Sequence, residues 1–269
     1  MIKRLLLFIM LTYLALFLFM PIASIFAGAL KNGFGVYLKA LGDPMALSAM
    51  RLTVLAAVIA VPLNLIFGVA ASWAIAKFDF KGKNVLLTLI DLPFTVSPVI
   101  SGMVYVMLFG AQSALGPWLT RHGIKILFAP PAIILVTIFV TFPFIARELI
   151  PLMKAQGKEE EEAAATLGAS GLQTFWRITI PNIKWGLLYG VILCNARAIG
   201  EFGAVSVVSG HIRGRTNTLP LHIEILYNEY HFSAAFAVAS LFVFVAFLTL
   251  AAKKIVESRF DKLRLRSVL

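Results

Sequence analysis

Residues 159–168 read Glu-Glu-Glu-Glu-Ala-Ala-Ala-Thr-Leu-Gly and lie between two long apolar runs, 131–150 and 185–208. Four acids followed by three alanines favour a short helix whose carboxylates lie at its positive N-terminal end. Gly168 suits the position just beyond that helix, where a left-handed residue ends it. The pattern predicts a membrane protein with an ordered acidic loop between two of its spans.

The second half of this loop carries its own helix signals. Ser170 with Gln173 three residues later is a capping-box pattern, which predicts a second short helix over 171–177. Pro181 suits the first turn of the helix that follows. The loop at about 151–184 is therefore predicted to be a helix–turn–helix segment and not a flexible linker.

The composition places the chain in a membrane. Its 269 residues are 60% hydrophobic and 14% charged, and the mean hydropathy is +0.90. Soluble domains are about 45–50% apolar and about 25% charged, so a soluble globular protein and a disordered chain are excluded. The single cysteine, Cys194, excludes a disulfide scaffold. We predict an all-α, polytopic membrane protein that forms a single domain over 1–269.

Six apolar runs are long enough to cross a bilayer, which takes about 20 residues of helix. The first resembles a secretory signal peptide, but its apolar stretch is longer than the core of such a peptide, and we interpret it as a span. The predicted spans are 5–26, 52–76, 85–109, 131–150, 185–208 and 233–252.

The charge of the chain indicates its orientation. The net charge is +11, with 24 Lys and Arg, and most of these basic residues flank the spans on the side of the N-terminus. Cytoplasmic loops of membrane proteins carry this excess, so both termini are predicted to be cytoplasmic. This cytoplasmic excess of Lys and Arg also explains the net positive charge, so no nucleic-acid partner is predicted. The basic segment 253–266 is predicted to face lipid headgroups, which makes membrane lipid a partner.

The third run carries polar residues that a plain span does not need. Pro93 and Pro98 remove backbone donors, and irregular backbone is tolerated in a bilayer only where it is buried in protein or lines a cavity. Intramembrane polar side chains are expensive and mark transport pathways by default. The translocation-pathway candidates from this run are Asp91, Thr95, Ser97 and Ser101.

The fifth run contains two charges, Arg197 and Glu201, four residues apart and therefore on one face of a helix. Both must face protein or water, because a lone charge there costs at least about 2.5–3.5 kcal/mol. Two interpretations remain open. The pair is a scaffold that neutralises itself, or it lies beside an anion pathway, where Arg197 attracts a dianion and Glu201 restrains the guanidinium.

The loop after the fifth run is predicted to lie outside the membrane. Arg213 and Arg215 run against the inside bias. They either guide an incoming anion, hold a substrate-delivering protein, or are simply solvated. Thr216, Asn217 and Thr218 form a turn that enters a short amphipathic segment. The four histidines have no metal-site spacing, so no metal site is predicted.

The acidic loop carries a motif with fixed spacing. Glu162-Ala163-Ala164, three residues, Gly168, nine residues, Ile178, one residue and Ile180-Pro181 resemble the EAA motif of ATP-binding-cassette (ABC) importer permeases. The usual Leu-Pro at its end is Ile-Pro here. The resemblance implies a coupling helix that docks in a cleft of a cytoplasmic ATPase. The alternative, a lipid-surface helix, fits poorly because such helices favour Lys and Arg. The implied ATPase-coupling residues are Glu162, Ala163, Ala164, Gly168, Ile178 and Pro181.

Two further segments narrow the resemblance. Residues 197–210 are similar to the fifth span of sulfate and molybdate importer permeases, and 211–230 to the sulfate/thiosulfate type, within it to the W-type of two non-identical permease subunits. The likeness extends from about residue 47 to 260. It implies a six-span, type I ABC importer permease-like bundle in the bacterial cytoplasmic (inner) membrane.

The resemblance also implies the partners. They are a second, T-type permease that completes a heterodimer, two ABC ATPase subunits, and a periplasmic or lipid-anchored sulfate/thiosulfate-binding protein. The chain has no Gly-x-x-x-x-Gly-Lys-Ser/Thr phosphate loop. We therefore expect it not to be an enzyme and to bind no cofactor, with ATP and Mg held by the partner ATPase.

Other functions remain open at this point. The transported oxyanion is molybdate or tungstate in one alternative. In another, the chain is a secondary transporter driven by an ion gradient, with Asp91, Arg197 and Glu201 at its ion site. A third is a non-transporting membrane assembly subunit, which leaves the intramembrane charges without a purpose.

Overall fold

A computed structural model describes the backbone of residues 2–266 and the side chains of residues 3–256. Within this part of the chain the regular structure is helical throughout, as the sequence predicts. The helices are α1 (Ile2–Leu14), α2 (Met20–Leu30), α3 (Phe34–Leu41), α4 (Pro44–Lys77), α5 (Lys83–Thr95), α6 (Pro98–Phe109), α7 (Gly116–Arg121), α8 (Pro130–Thr141), α9 (Pro143–Ala155), α10 (Glu159–Thr166), α11 (Gly171–Thr174), α12 (Ile180–Ile199), α13 (Gly203–Ser209), α14 (Leu219–Asn228) and α15 (Phe232–Arg266).

In the described part of the chain, the predicted spans correspond to four long helical stretches and two bent helix pairs. The stretches long and apolar enough to cross a membrane are Lys3–Leu30, Pro44–Lys77, Pro130–Ala155 and Phe232–Val256. The bent pairs are α5 with α6 and α12 with α13, and counting each pair as one span gives up to six spans.

The bend between α5 and α6 is 107° and falls within the third apolar run. Val96 is extended, and Ser97 has a ψ of 136° immediately before Pro98. A proline disfavours helical backbone at the residue before it, so α5 ends here and α6 begins at Pro98. The irregular backbone predicted in this run is confirmed, although Pro93 itself remains within α5.

The fifth run also bends, by 47°. Helix α12 ends at Ile199 and α13 begins at Gly203, so Glu201 lies in the break between them. The expectation that Arg197 and Glu201 share one continuous helix is therefore wrong. The side chains of Arg197 and Glu201 still meet, because the break between the two helices is short.

The acidic loop folds largely as its signals predict. Helix α10 begins at Glu159, and Gly168 follows it with a φ of +88°. Ser170 and Gln173 form the predicted capping box at the start of α11. The second helix is longer than predicted, because a wide π-helical turn, Phe175–Thr179, joins α11 directly to α12. This turn pairs the Ile180 amide with the Phe175 carbonyl just before Pro181, which has no amide hydrogen to donate.

The described chain divides into two compact units, and each has its own core. The first comprises Met1–Thr53 and His211–Phe247. Its buried apolar residues come from α4, α14 and α15, and are Ala46, Ala49, Leu219 and Val238. The Tyr37 and Ser240 hydroxyls lie 3.0 Å apart in the same unit.

The second unit comprises Val54–Gly210 and Leu248–Leu269. Its main core is formed by α4, α9 and α12, with Ile145, Leu149 and Ile183 fully buried. The buried Asn64 amide donates to the Thr141 hydroxyl at 2.7 Å and thereby joins α4 to α8. The single domain over 1–269 stays a prediction.

Candidate functional site

The four acids of α10 do not all face the same way. Glu162 and Ala163 are exposed, whereas Glu161 is largely covered. Leu167, directly after the helix, is 89% exposed, although it is a large apolar residue. The exposed side of α10 therefore combines a carboxylate, small residues and one apolar side chain.

The covered side of α10 is bonded to two other helices. The Glu161 carboxylate lies 3.3 Å from the Lys77 ammonium at the end of α4. Its other oxygen accepts a hydrogen bond from the Thr179 hydroxyl at 2.6 Å, in the turn that leads into α12. Lys77 also donates to the Gly157 carbonyl just before α10. Through this ion pair and this hydrogen bond, the Glu161 carboxylate joins α10 to the end of α4 and to the turn before α12.

A second set of bonds connects the same region. The Asn182 amide in the first turn of α12 donates to the Glu160 carboxylate. The Gln156 side chain donates to the Asn182 carbonyl at 2.9 Å. Glu160 and Glu161 therefore attach α10 to the start of α12, while Glu162 stays exposed.

The remaining motif residues lie in the same segment. Gly168 is exposed beyond α10, Pro181 is exposed in the first turn of α12, and Ile178 is half-buried in the π-helical turn. Ala164 is half-buried within α10. A cavity of ≈ 280 Å³ next to α10 is lined by both basic and acidic side chains, among them Lys158 and Glu162. That these residues dock an ATPase stays a prediction.

Arg197 and Glu201 form the ion pair expected from their spacing, with the guanidinium 2.6 Å from the carboxylate. The other Glu201 oxygen accepts from the Ala204 amide at 2.8 Å, which caps the first turn of α13. The Glu201 side chain is 1% exposed, and that of Arg197 is 31% exposed. Both Glu201 oxygens are thus bonded in a buried position, whereas Arg197 keeps part of its surface accessible.

The candidates from the third run separate into different surroundings. Asp91 pairs with Arg147 of α9 at 3.1 Å, and both side chains are about half exposed. Arg147 also lies over the Phe94 ring. Thr95 and Ser97 are exposed. Ser101 is buried, and its hydroxyl donates to the Ser97 carbonyl at 3.2 Å.

The loop before α14 is polar, and its last three residues are buried. Arg213 forms an ion pair with Glu229, whereas Arg215 is exposed. The Thr216 hydroxyl accepts from the Ile212 amide at 3.0 Å and closes the turn. Asn217 and Thr218 are each 3% exposed. Among the described side chains, the polar atoms of Asn217 and the Thr218 hydroxyl lack a hydrogen-bond partner.

His222 in α14 lies close to this loop in the same unit. Burial lowers the pKa of its imidazole below the ordinary value, and the charge of Arg213 adds to this shift. Asp43 and Glu229 oppose it. The lowered pKa favours a neutral ring at pH 7, so His222 contributes no fixed charge for an anion to meet.

Sequence reasoning missed the residues that attach α10. In the sequence Lys77 is one of the basic residues that follow a span, and Glu161 is one of four consecutive acids. The signal available was a lysine at the very end of an apolar run, where a buried charge requires a partner. The predicted lipid-facing segment 253–266 lies partly outside the described residues, because side chains beyond Val256 are not described.

Comparison with known proteins places these features in a family. Residues 65–262 match the family described as "Binding-protein-dependent transport system inner membrane component". The chain belongs to this family of transport permeases. As a member of this family it is a multi-pass inner-membrane component of a transport system.

Individual relatives are similar over nearly the whole permease. The sulfate transport system permease protein CysW of Escherichia coli K12 is 51% identical over 92% of this chain and 85% of that protein. CysW of Synechocystis is 48% identical over 96% and 94%. CysT of E. coli K12 is 31% identical over 94% and 91%. The resemblance to W-type sulfate permeases is thus confirmed.

Solved structures confirm the fold of the permease. A chain of a bacterial ABC transporter involved in import of the acidic polysaccharide alginate superposes with a TM-score of 0.79 at 18% identity, covering 96% of this chain and 97% of that one. A second alginate transporter structure, in complex with a periplasmic protein, gives a TM-score of 0.78 at 16% identity, covering 95% and 92%. The all-α, ABC importer permease-like fold predicted from the sequence is confirmed.

Proposed function

We propose that this permease is the W-type subunit of an ATP-driven sulfate or thiosulfate importer. In that role it forms part of the translocation pathway and couples it to a separate ATPase. The observation that carries the proposal is the 51% identity with a sulfate permease, CysW, over 92% of the chain. Both termini and α10 lie on the cytoplasmic side, in accord with the basic residues that flank the spans.

The proposal includes partners of three kinds. A T-type permease completes a heterodimer, which the 31% identity with CysT supports, since the two subunit types are alike. A periplasmic binding protein delivers the anion, as the name of the family suggests. Two ATPase subunits bind ATP and Mg, and one of them docks on the exposed side of α10, where Glu162 and Leu167 are accessible.

The pathway is proposed to use accessible or unpartnered polar groups. Arg197 keeps about a third of its side chain exposed, and it is the positive group best placed to attract a dianion. Asn217 and Thr218 offer polar atoms without partners among the described side chains. An ion-gradient mechanism is disfavoured, because Glu201 is already engaged as an ion-pair partner and a helix cap.

Reconstitution tests the proposal. The complete transporter is purified, placed in proteoliposomes with ATP enclosed, and supplied with the binding protein and radioactive sulfate. We expect uptake that requires ATP and stops when the ATPase carries a catalytically dead substitution. Uptake driven by a pH or sodium gradient without ATP contradicts the proposal. ATP-driven uptake of molybdate in preference to sulfate contradicts the substrate assignment alone.

A further inference from the structure

Helix α10 has little to hold it except its side-chain bonds. It is eight residues long, and none of its residues is buried. An isolated helix shorter than about 12 residues is marginal in water. Its position on the permease therefore depends on the contacts made by Glu160 and Glu161 with Asn182, Thr179 and Lys77.

The Lys77–Glu161 pair is the most buried of these contacts. The side chains are 6% and 17% exposed. Separating a buried ion pair costs much more free energy than separating an exposed pair, because each buried charge is then left without a partner. The pair therefore resists any displacement of α10 away from the end of α4.

The same carboxylate fixes α10 to a rigid part of the second unit. Thr179, which donates to Glu161, precedes α12 directly. Ile183, one turn into α12, is fully buried in the core formed with α4 and α9. A force applied to α10 therefore reaches α4 through Lys77 and α12 through Thr179.

We propose that Lys77, Glu161 and Thr179 form a joint, through which α10 moves as one body with α4 and α12 when the ATPase acts on it. This inference rests on the proposed function. The three residues are positioning residues, because they face away from the exposed side of α10 that meets the ATPase. Breaking the joint leaves α10 able to dock but lets it shift without moving the spans, so ATP is hydrolysed with little transport.

Substitutions that remove one interaction at a time test the joint in the complete reconstituted transporter. Lys77→Met removes the charge but keeps most of the side chain, and Lys77→Arg keeps the charge. Glu161→Gln keeps an acceptor for Thr179 and removes the ion pair. Lys83→Met is the matched control. It breaks the Lys83–Asp79 ion pair, which lies near the same end of α4 as Lys77, but in which the Asp79 side chain is exposed.

Two quantities are measured in each complex: sulfate imported per ATP hydrolysed, and the amount of ATPase that copurifies. For Lys77→Met and Glu161→Gln we expect the import ratio to fall about tenfold or more with full ATPase copurification. Lys77→Arg and Lys83→Met should stay within about twofold of the wild type. An unchanged ratio in the first two variants overturns the joint. Loss of the ATPase from them also overturns it, because the residues then serve docking.

Hydrogen exchange separates failure of the joint from failure of the proposed function. The amides of α10 are measured in the same complexes without sulfate. We expect them to exchange about tenfold faster or more in Lys77→Met and Glu161→Gln than in the wild type and Lys83→Met. Equal protection in all four complexes overturns the joint. Absence of sulfate uptake by the wild type overturns the proposed function alone.

Discussion

At the residue scale, two ion pairs of the second unit differ chiefly in burial. Glu201 is almost fully buried beside Arg197 and also caps α13. Asp91 and Arg147 are both about half exposed. Removing one partner of a buried pair leaves an uncompensated charge, whereas an exposed pair contributes little to stability.

The difference gives a stability prediction. Glu201→Ala is expected to lower the free energy of unfolding by about 1.5–3 kcal/mol, because the partly buried Arg197 loses its charged partner and α13 loses its cap. Asp91→Ala, the matched control, is expected to cost about 1 kcal/mol or less. Thermal unfolding of the purified permease in detergent measures both. Equal losses in the two variants contradict the interpretation of the Arg197–Glu201 pair as a scaffold.

At this scale the sequence predicted a contact between residues that are close in the chain, but not the contacts between distant residues. Spacing alone predicted the contact between Arg197 and Glu201, because four residues make nearly one helical turn. It could not predict that Lys77 meets Glu161, since their partnership depends on how α4, α10 and α12 pack. The charge of Asp91 marked it as a candidate. Its partner Arg147 could not be predicted, because their contact also depends on how the helices pack.

At the element scale, hydropathy predicted where the spans run but not where they bend. A bend leaves the apolar composition of a run unchanged, so it does not alter a hydropathy profile. Pro98 supplied an independent signal for the bend between α5 and α6, and that irregularity was predicted. The break after Ile199 has no proline, and its Gly200 reads equally well as a close-packing residue within one helix.

The contact between α6 and α13 depends on a glycine. A Cβ atom at Gly102 would lie 2.7 Å from the Ala204 carbonyl oxygen and 2.9 Å from the Val207 Cβ. The first of these neighbours is backbone, so relief requires the two helices to move apart. Gly35 in α3 also lies within a helix, but nothing lies within 4 Å of a Cβ there.

These two glycines form a matched pair for substitution. Gly102→Ala is expected to destabilise the permease by about 1–3 kcal/mol, the usual effect of overpacking. Gly35→Ala is expected to be neutral or to stabilise by up to about 1 kcal/mol, because alanine is the better helix former. Denaturant titrations of the two variants measure these changes. A Gly102→Ala protein as stable as the wild type shows that α6 and α13 are not held in close contact.

At the scale of the whole molecule, similarity over the entire chain establishes the family without reference to the role of any single residue. Relatives share about half of the residues over almost the entire chain, whereas the alginate transporter chains keep the fold at 18% and 16% identity. Apolar residues can replace one another at lipid-facing positions without changing the hydropathy of a span. The fixed spacing of the EAA-like motif was therefore a better guide to function than the spans themselves.

The orientation of the whole chain is the remaining prediction, and the single native cysteine makes it simple to test. Cys194 is fully buried, so the wild type should not react with a membrane-impermeant maleimide. Leu167→Cys places a thiol beyond α10, and Arg215→Cys places one in the loop before α14; both positions are exposed. The permease is expressed without its ATPase, so that Leu167 stays uncovered. With cytoplasmic termini, spheroplasts carrying Arg215→Cys should be labelled intact, and those carrying Leu167→Cys only after permeabilisation. The reverse pattern would invert the topology and remove α10 from the reach of a cytoplasmic ATPase.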